Sequence, residues 1–349
     1  MSVTAGLLAL EAPEALITER LVLAARVAEE ISTTEPVVAA LVVGSTALRR
    51  CSPRADLDLI VVTPSSPPEP DRFASRLIDG VRVEVERLGR REALALTTGG
   101  GWVWELRQAA RLGCGVPVLD ADSFARLLSE RAAAMTPWRD RFESTLRDVY
   151  LLLIGLGPAG GDPARRSDAL RGCFDNLALL ALLERPRRYQ KAKWALADLS
   201  HAGEDVLVEG TLAAYGITSD DAGAANDATT GARDLVERAY TLAGVPSHDA
   251  ILAMGHAPAL AEASYVSRCL DDAEDLAASG RYLEAQYVAK FSARLAAGML
   301  SEGDGEAGVV DTLASCGLAP RYLALFDATP DLLKAALRAA DARREVLDR

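Results

Sequence analysis

The sequence predicts an α+β protein, with a small domain of strands and helices followed by a larger all-helical domain. Three observations predict it. Strand patterns are confined to residues 37–120, and nothing after Pro137 reads as a strand. The 349 residues correspond to about two domains. A hydrophobic share of 50% with 25% charged residues is ordinary globular composition, enough to bury a core in each. The natural division is 1–136 and 137–349.

In chain order, residues 12–31 place apolar side chains at helical spacing with charges on the opposite face, predicting an amphipathic helix. Residues 37–43 are a short, continuous apolar run, the pattern of a strand buried on both faces. Gly44-Ser45 and a short helical piece follow, then a turn at Cys51-Ser52-Pro53-Arg54. Residues 56–63 (DLDLIVVT) form the second strand, and the proline-rich 64–70 a loop without regular structure. A helix is expected over 71–78, a turn at Asp79-Gly80, and a third strand over 81–88 (VRVEVERL), which alternates cleanly. Helices over 90–96 and 102–112 flank a Gly99–Gly101 break, a flexible loop. A fourth strand is expected at 115–119, and a helix from Asp120, with Asp120 or Asp122 as its cap. Beyond Pro137 the helices are 138–156, 164–184, 187–201, 205–215, 231–243, 258–279, 282–300 and 330–347, with Gly-rich loops at 155–163 and 216–231.

The charge balance is 38 basic against 50 acidic residues, a net −12. That counts against a chain that wraps nucleic acid, which needs a Lys/Arg surplus. Five scattered cysteines without a C-x-x-C pair predict neither a disulfide framework nor a zinc site, and fit a reducing cytoplasm. Three histidines, without H-x-H or H-x-x-x-H spacing, exclude an imidazole-rich metal site. The N-terminus lacks the basic region of a secretory signal, and no apolar run is long enough for a membrane span. The acidic group Asp271, Asp272, Glu274 and Asp275 reads as a solvated helix face, and Trp102 and Trp104 as packing residues.

One stretch carries chemistry: residues 41–62, LVVGSTALRRCSPRADLDLIVV. Asp56 and Asp58 are one residue apart on a strand, so both carboxylates share a face, about 6.6 Å apart along the chain. Leu57, Leu59 and Val61 point the other way. Two carboxylates in an apolar setting repel unless a cation lies between them, and hard oxygen ligands favour Mg²⁺ or Mn²⁺. On the third strand Arg82, Glu84 and Glu86 share a face opposite the valines. If that strand lies beside the second, Glu84 or Glu86 adds a third carboxylate. Two divalent ions about 3.5–4 Å apart would then clamp both oxygens of an in-line displacement. Gly44 permits close backbone approach, and Ser45, eleven residues before Asp56, offers a hydroxyl to an anion.

Gly44-Ser45, the Asp56-x-Asp58 pair and an acidic residue on the next strand resemble the nucleotidyltransferase superfamily that includes DNA polymerase β. Within it the chain looks most like the small-molecule branch typified by bacterial aminoglycoside adenylyltransferases. The resemblance covers 37–88 well and 12–135 loosely. Ala55 and Arg49-Arg50-Cys51 depart from the branch's usual residues. It implies a small mixed sheet with flanking helices, followed by an all-helical bundle. It implies that Gly44 and Ser45 contact the triphosphate, that Asp56, Asp58 and Glu84 hold two Mg²⁺ ions and are catalytic, and that Lys191 or Lys193, in YQKAKWALADL, reaches the triphosphate from the helical domain, with Arg187 and Arg188 as further candidates. The implied activity transfers AMP from ATP, or another nucleoside monophosphate, to a hydroxyl of a small molecule such as an aminoglycoside, with pyrophosphate released. The acceptor is expected between the domains. The alternatives are a macromolecular acceptor (a protein side chain, or a tRNA end as in toxin–antitoxin systems, with Arg165, Arg166, Arg185, Arg187 and Arg188 as a basic face) and a nucleotide-binding regulator without turnover. The sequence leaves the oligomeric state open.

Overall fold

The computed structural model describes residues 12–53, 55–98, 103–134, 144–145, 147–148, 162–183, 191–254, 260–301, 309–326 and 338. The expected helices at 138–156 and 330–347, the Gly99–Gly101 break, Trp102 and Arg185, Arg187 and Arg188 lie wholly or almost wholly outside these residues. The chain divides into two compact units, one built on residues 12–134 and the other on the helices from Pro163 onward. Among the described residues no helix is long and apolar enough to cross a membrane.

The first unit is a five-stranded mixed sheet covered on both faces. Helix α1 (Glu14–Ser32) buries Ile17, Leu23, Ala24, Val27, Ala28 and Ile31, the spacing of one helix face. Strand β1 (Ala39–Val43) is buried throughout, as its continuous apolar run predicts. A single turn, α2 (Gly44–Ala47), leads through a loop to β2 (Leu57–Thr63). Next come α3 (Glu69–Arg72), β3 (Phe73–Ile78), β4 (Val81–Gly89), α4 (Arg90–Leu96), α5 (Val103–Gly113), β5 (Val116–Asp120) and α6 (Phe124–Ala134). The order across the sheet is β3-β4-β2-β1-β5, with β2 and β4 parallel and the other neighbours antiparallel. One face packs Ala40, Val42, Leu57, Leu59, Val61, Val83 and Val85 against α1. The other packs Leu41, Val43, Ile60, Val62 and Leu88 against Ala93, Leu112, Phe124 and Leu128. Each such Val, Leu or Ile contributes roughly 1.5–3 kcal/mol when fully buried, so the sheet's register is strongly specified.

Two expectations for this unit are corrected. Residues 73–78 form an edge strand rather than the end of a helix over 71–78. Residues 73–78 pair antiparallel with β4 from Phe73↔Glu86 to Ile78↔Val81. The turn residues Asp79 and Gly80 both have positive φ, 51° and 80°, as a two-residue hairpin turn requires. The strand was hidden because its four central residues are exposed, so FASRLI has no buried alternation to read. The end of the proline-rich 64–70 loop also enters regular structure: Glu69 and Pro70 open α3, where proline's missing N–H costs nothing.

The second unit is helical throughout its described residues: α7 (Pro163–Leu183), α8 (Ala192–His201), α9 (Asp205–Ala214), α10 (Ala222–Ala243), α11 (His248–Met254), α12 (Ala261–Ala278), α13 (Tyr282–Ser301), α14 (Val309–Ser315) and α15 (Ala319–Leu325). The loop expected at 216–231 is helical from Ala222. Its Gly, Asn, Asp and Thr residues are weak helix formers. The Asp221 carboxylate caps the helix by accepting from Ala224 N at 2.9 Å, and Ala225, Ala228 and Ala232 bury one face. Helices α11, α14 and α15 are too short to show in the periodicity.

This unit carries a polar core. Asp175 accepts from Tyr215 Oη at 2.7 Å, Tyr287 Oη at 3.1 Å and Arg294 at 3.2 Å. Arg294 also donates to Asp168, which the Tyr322 hydroxyl bonds as well. Arg171, fully buried, donates to the carbonyls of Ala214 and Phe326. Burial pushes the Asp175 carboxyl up from its ordinary 3.8 to about 6; Arg294 and the two tyrosines oppose that rise, and Asp168 adds to it. Between these values the folded chain holds a proton that the unfolded chain releases. The stability this group contributes is therefore complete below about pH 4 and falls as pH rises through about 6. Urea midpoints at pH 5 and pH 7.5 check this: the wild type loses more stability over that interval than Asp175→Asn, which removes the titrating proton.

Candidate metal centre

The sheet register brings three carboxylates together. Asp58 lies opposite Glu84 in the parallel β2–β4 pair and opposite Val43 in the antiparallel β1–β2 pair. Asp56 immediately precedes β2 on the same face. One carboxylate oxygen from each of Asp56, Asp58 and Glu84 lies within 4.8 Å of the other two, and all three side chains are partly buried. Glu86 shares the face but is otherwise engaged. Its Oε2 is 2.5 Å from Arg111 on α5, and its Oε1 is 3.9 Å from Arg72. Of the two candidates for the third carboxylate, the structure places Glu84 in the cluster and Glu86 in an arginine pair that braces β4 against α5.

The backbone at α2 fits this cluster closely. Gly44 has φ +66°, a left-handed conformation that side chains disfavour. A Cβ on Gly44 would overlap Asp58 Oδ2 and lie 3.1 Å from its carboxyl carbon. Glycine therefore lets the chain turn directly against the Asp58 carboxylate. The next two side chains, Ser45 and Thr46, are each 2% exposed. Their hydroxyls have no hydrogen-bond partner among the described residues. Buried hydroxyls are nearly always satisfied, and these two stand in the turn that packs against Asp58. Thr46, which directly follows Ser45, was not singled out in the sequence.

The turn leading into Asp56 is anchored from below. Arg20 of α1, 2% exposed, donates to Pro53 O at 2.8 Å. Ala55 N closes a turn on Ser52 O at 3.1 Å, and Arg50 N donates to Ser45 O at 2.8 Å. A buried arginine on a helix gives no sequence sign of this role.

Within the helical unit, Lys193 and Lys191 flank Trp194, their ammonium groups 5.4 and 6.0 Å from its ring centroid. Lys193 Nζ is 2.5 Å from Asp272 Oδ1, and Glu274 pairs with Arg233. The acidic run on α12 is thus partly neutralised by neighbours on other helices. Arg165 pairs with Asp311 at 2.6 Å. No protein-family model matches the chain, and no curated protein matches its sequence.

Proposed function

We propose that this chain is a metal-dependent nucleotidyltransferase that moves a nucleoside monophosphate, AMP from ATP in the first instance, to a hydroxyl acceptor and releases pyrophosphate. The observation that carries the reading is the convergence of Asp56, Asp58 and Glu84 within 4.8 Å, with Gly44 packed against Asp58. The donor set fits Mg²⁺, which takes one or two carboxylates together with substrate phosphates. Bound there, divalent cations supply a lowered acceptor pKa and neutralise charge on the leaving phosphates.

The chain's own groups have separable tasks. Asp56 and Asp58 hold the metal-binding face, fixed by a strand whose other face is core. Ser45 and Thr46 donate their orphan hydroxyls to phosphate oxygens, where Gly44 lets the backbone come close. Glu84, on the far side of Asp58 from Gly44, takes the acceptor's proton in this reading. Positioning and charge neutralisation supply most of the rate in phosphoryl chemistry of this kind. The test is pyrophosphate release from ATP, CTP, GTP and UTP over a panel of hydroxyl acceptors, with Mg²⁺ and with excess EDTA. Release that requires Mg²⁺ and one nucleotide is the expected result. Release unchanged by EDTA would sink the reading.

A further inference from the structure

We propose that the β3–β4 hairpin is the acceptor side of this site, and that Arg82 binds an anionic group, phosphate or carboxylate, on the acceptor. The inference rests on the nucleotidyltransferase reading above. It follows from the order of groups across the sheet. On the triad's face, Asp58 has Val43 and the Gly44–Thr46 turn on its β1 side. On its other side come Glu84 of β4, then Ser75 of β3, paired directly with Glu84. The orphan hydroxyls that suit phosphates are at the β1 end. An in-line displacement separates the leaving group from the incoming hydroxyl, so the acceptor belongs at the β4–β3 end.

One pleat further along, Arg82 and Leu77 form the next cross-strand pair on the same face. Both are exposed, Leu77 at 74%. The other arginines of this hairpin are spoken for. Arg76 is bidentate to Glu30 at 2.8 and 2.9 Å, and Arg87 donates to Glu35 at 2.8 Å, both on the α1 side of the sheet. Arg82 alone among them faces the triad's side, and no described residue pairs with it. An open guanidinium beside three carboxylates selects for a negative group on whatever binds there, because it presents a planar fork that matches phosphate and carboxylate. A cationic acceptor would meet like charge at this position. Leu77 adds an apolar contact for the carbon skeleton.

The experiment is isothermal titration of ribose 5-phosphate, 3-phosphoglycerate, ribose and glucosamine into the full chain with Mg²⁺, with and without α,β-methylene ATP. The expected result is that one of the two anionic hydroxyl compounds binds at least tenfold tighter than the neutral and cationic ones. Arg82→Gln removes that margin, a loss of about 10–100-fold, and Arg82→Lys restores part of it. Affinity for α,β-methylene ATP stays as in wild type. The proposal is overturned by no margin for the anionic compounds, by a margin that survives Arg82→Gln, or by Arg82→Gln weakening the ATP analogue instead, which would assign Arg82 to the triphosphate. Failure of the underlying reading looks different: the ATP analogue then does not bind, or binds without Mg²⁺, whatever the acceptor arm shows.

Discussion

Asp58→Asn is expected to abolish Mg²⁺-dependent nucleotide binding and to lower turnover by about 10³-fold or more, while leaving the fold intact. A cation ligated by this carboxylate is worth several kcal/mol of charge stabilisation, and each 1.4 kcal/mol is a factor of ten. Asp58 is the central carboxylate, with Asp56 one pleat away on its own strand and Glu84 opposite on β4. Its loss leaves only the Asp56–Glu84 pair of the cluster. The same change relieves repulsion among three negative groups that share a few ångströms. Thermal unfolding without divalent ions is therefore expected to show a midpoint equal to or above wild type. Activity gone with the midpoint kept identifies a functional site. Loss of both would make Asp58 a structural residue and undercut the metal reading.

The second large effect is expected at Gly44→Ala. Its φ of +66° places an L side chain in the left-handed region, costing about 1–2 kcal/mol by itself. The added Cβ also overlaps Asp58 Oδ2, so the carboxylate must swing away or the α2 turn must shift. A misplacement of about 1 Å at a reacting centre costs on the order of 10²-fold in rate. The variant is therefore expected to lose about 10²-fold in activity and roughly 1–3 kcal/mol in stability, read from steady-state kinetics and urea unfolding. The two variants separate the causes. Asp58→Asn removes charge without strain, whereas Gly44→Ala adds strain without removing charge. If Gly44→Ala keeps full activity, the close approach of this turn to Asp58 has no part in the site.

Much of the site was legible because it obeys short-range rules. Period-two alternation in DLDLIVVT placed Asp56 and Asp58 on one face and Leu57, Leu59 and Val61 in the core, as observed. The choice of Glu84 over Glu86 came from the resemblance and was not legible in the strand pattern. Alternation puts both on one face, and only the β2–β4 register, together with Arg111 arriving from α5, separates them. Those are contacts between distant parts of the chain. The same holds for Arg20 beneath Pro53 and for Arg82, which reads in the sequence as one more charge on a strand. Edge strand β3 was misread because exposure erases the apolar pattern that reveals strands. The helix from Ala222 was misread because burial of alanines offsets weak propensity. Net charge bears on wrapping nucleic acid, but not on which acceptor this site would take. A sum over 349 residues does not describe one face of one sheet.

The parallel pairing of β2 with β4 also ties the site to the folding reaction. Asp58 and Glu84 are 26 residues apart in sequence and meet only when the non-local β2–β4 strand pair has formed. Non-local pairing is the slow part of folding. A slip of one residue between β2 and β4 would turn Glu84 into the α1 side and bring a valine beside Asp58. Partly folded or misregistered chains therefore lack the three-carboxylate cluster, and on the proposed reading Mg²⁺ binding would distinguish the correctly zipped sheet from near-misses of similar compactness.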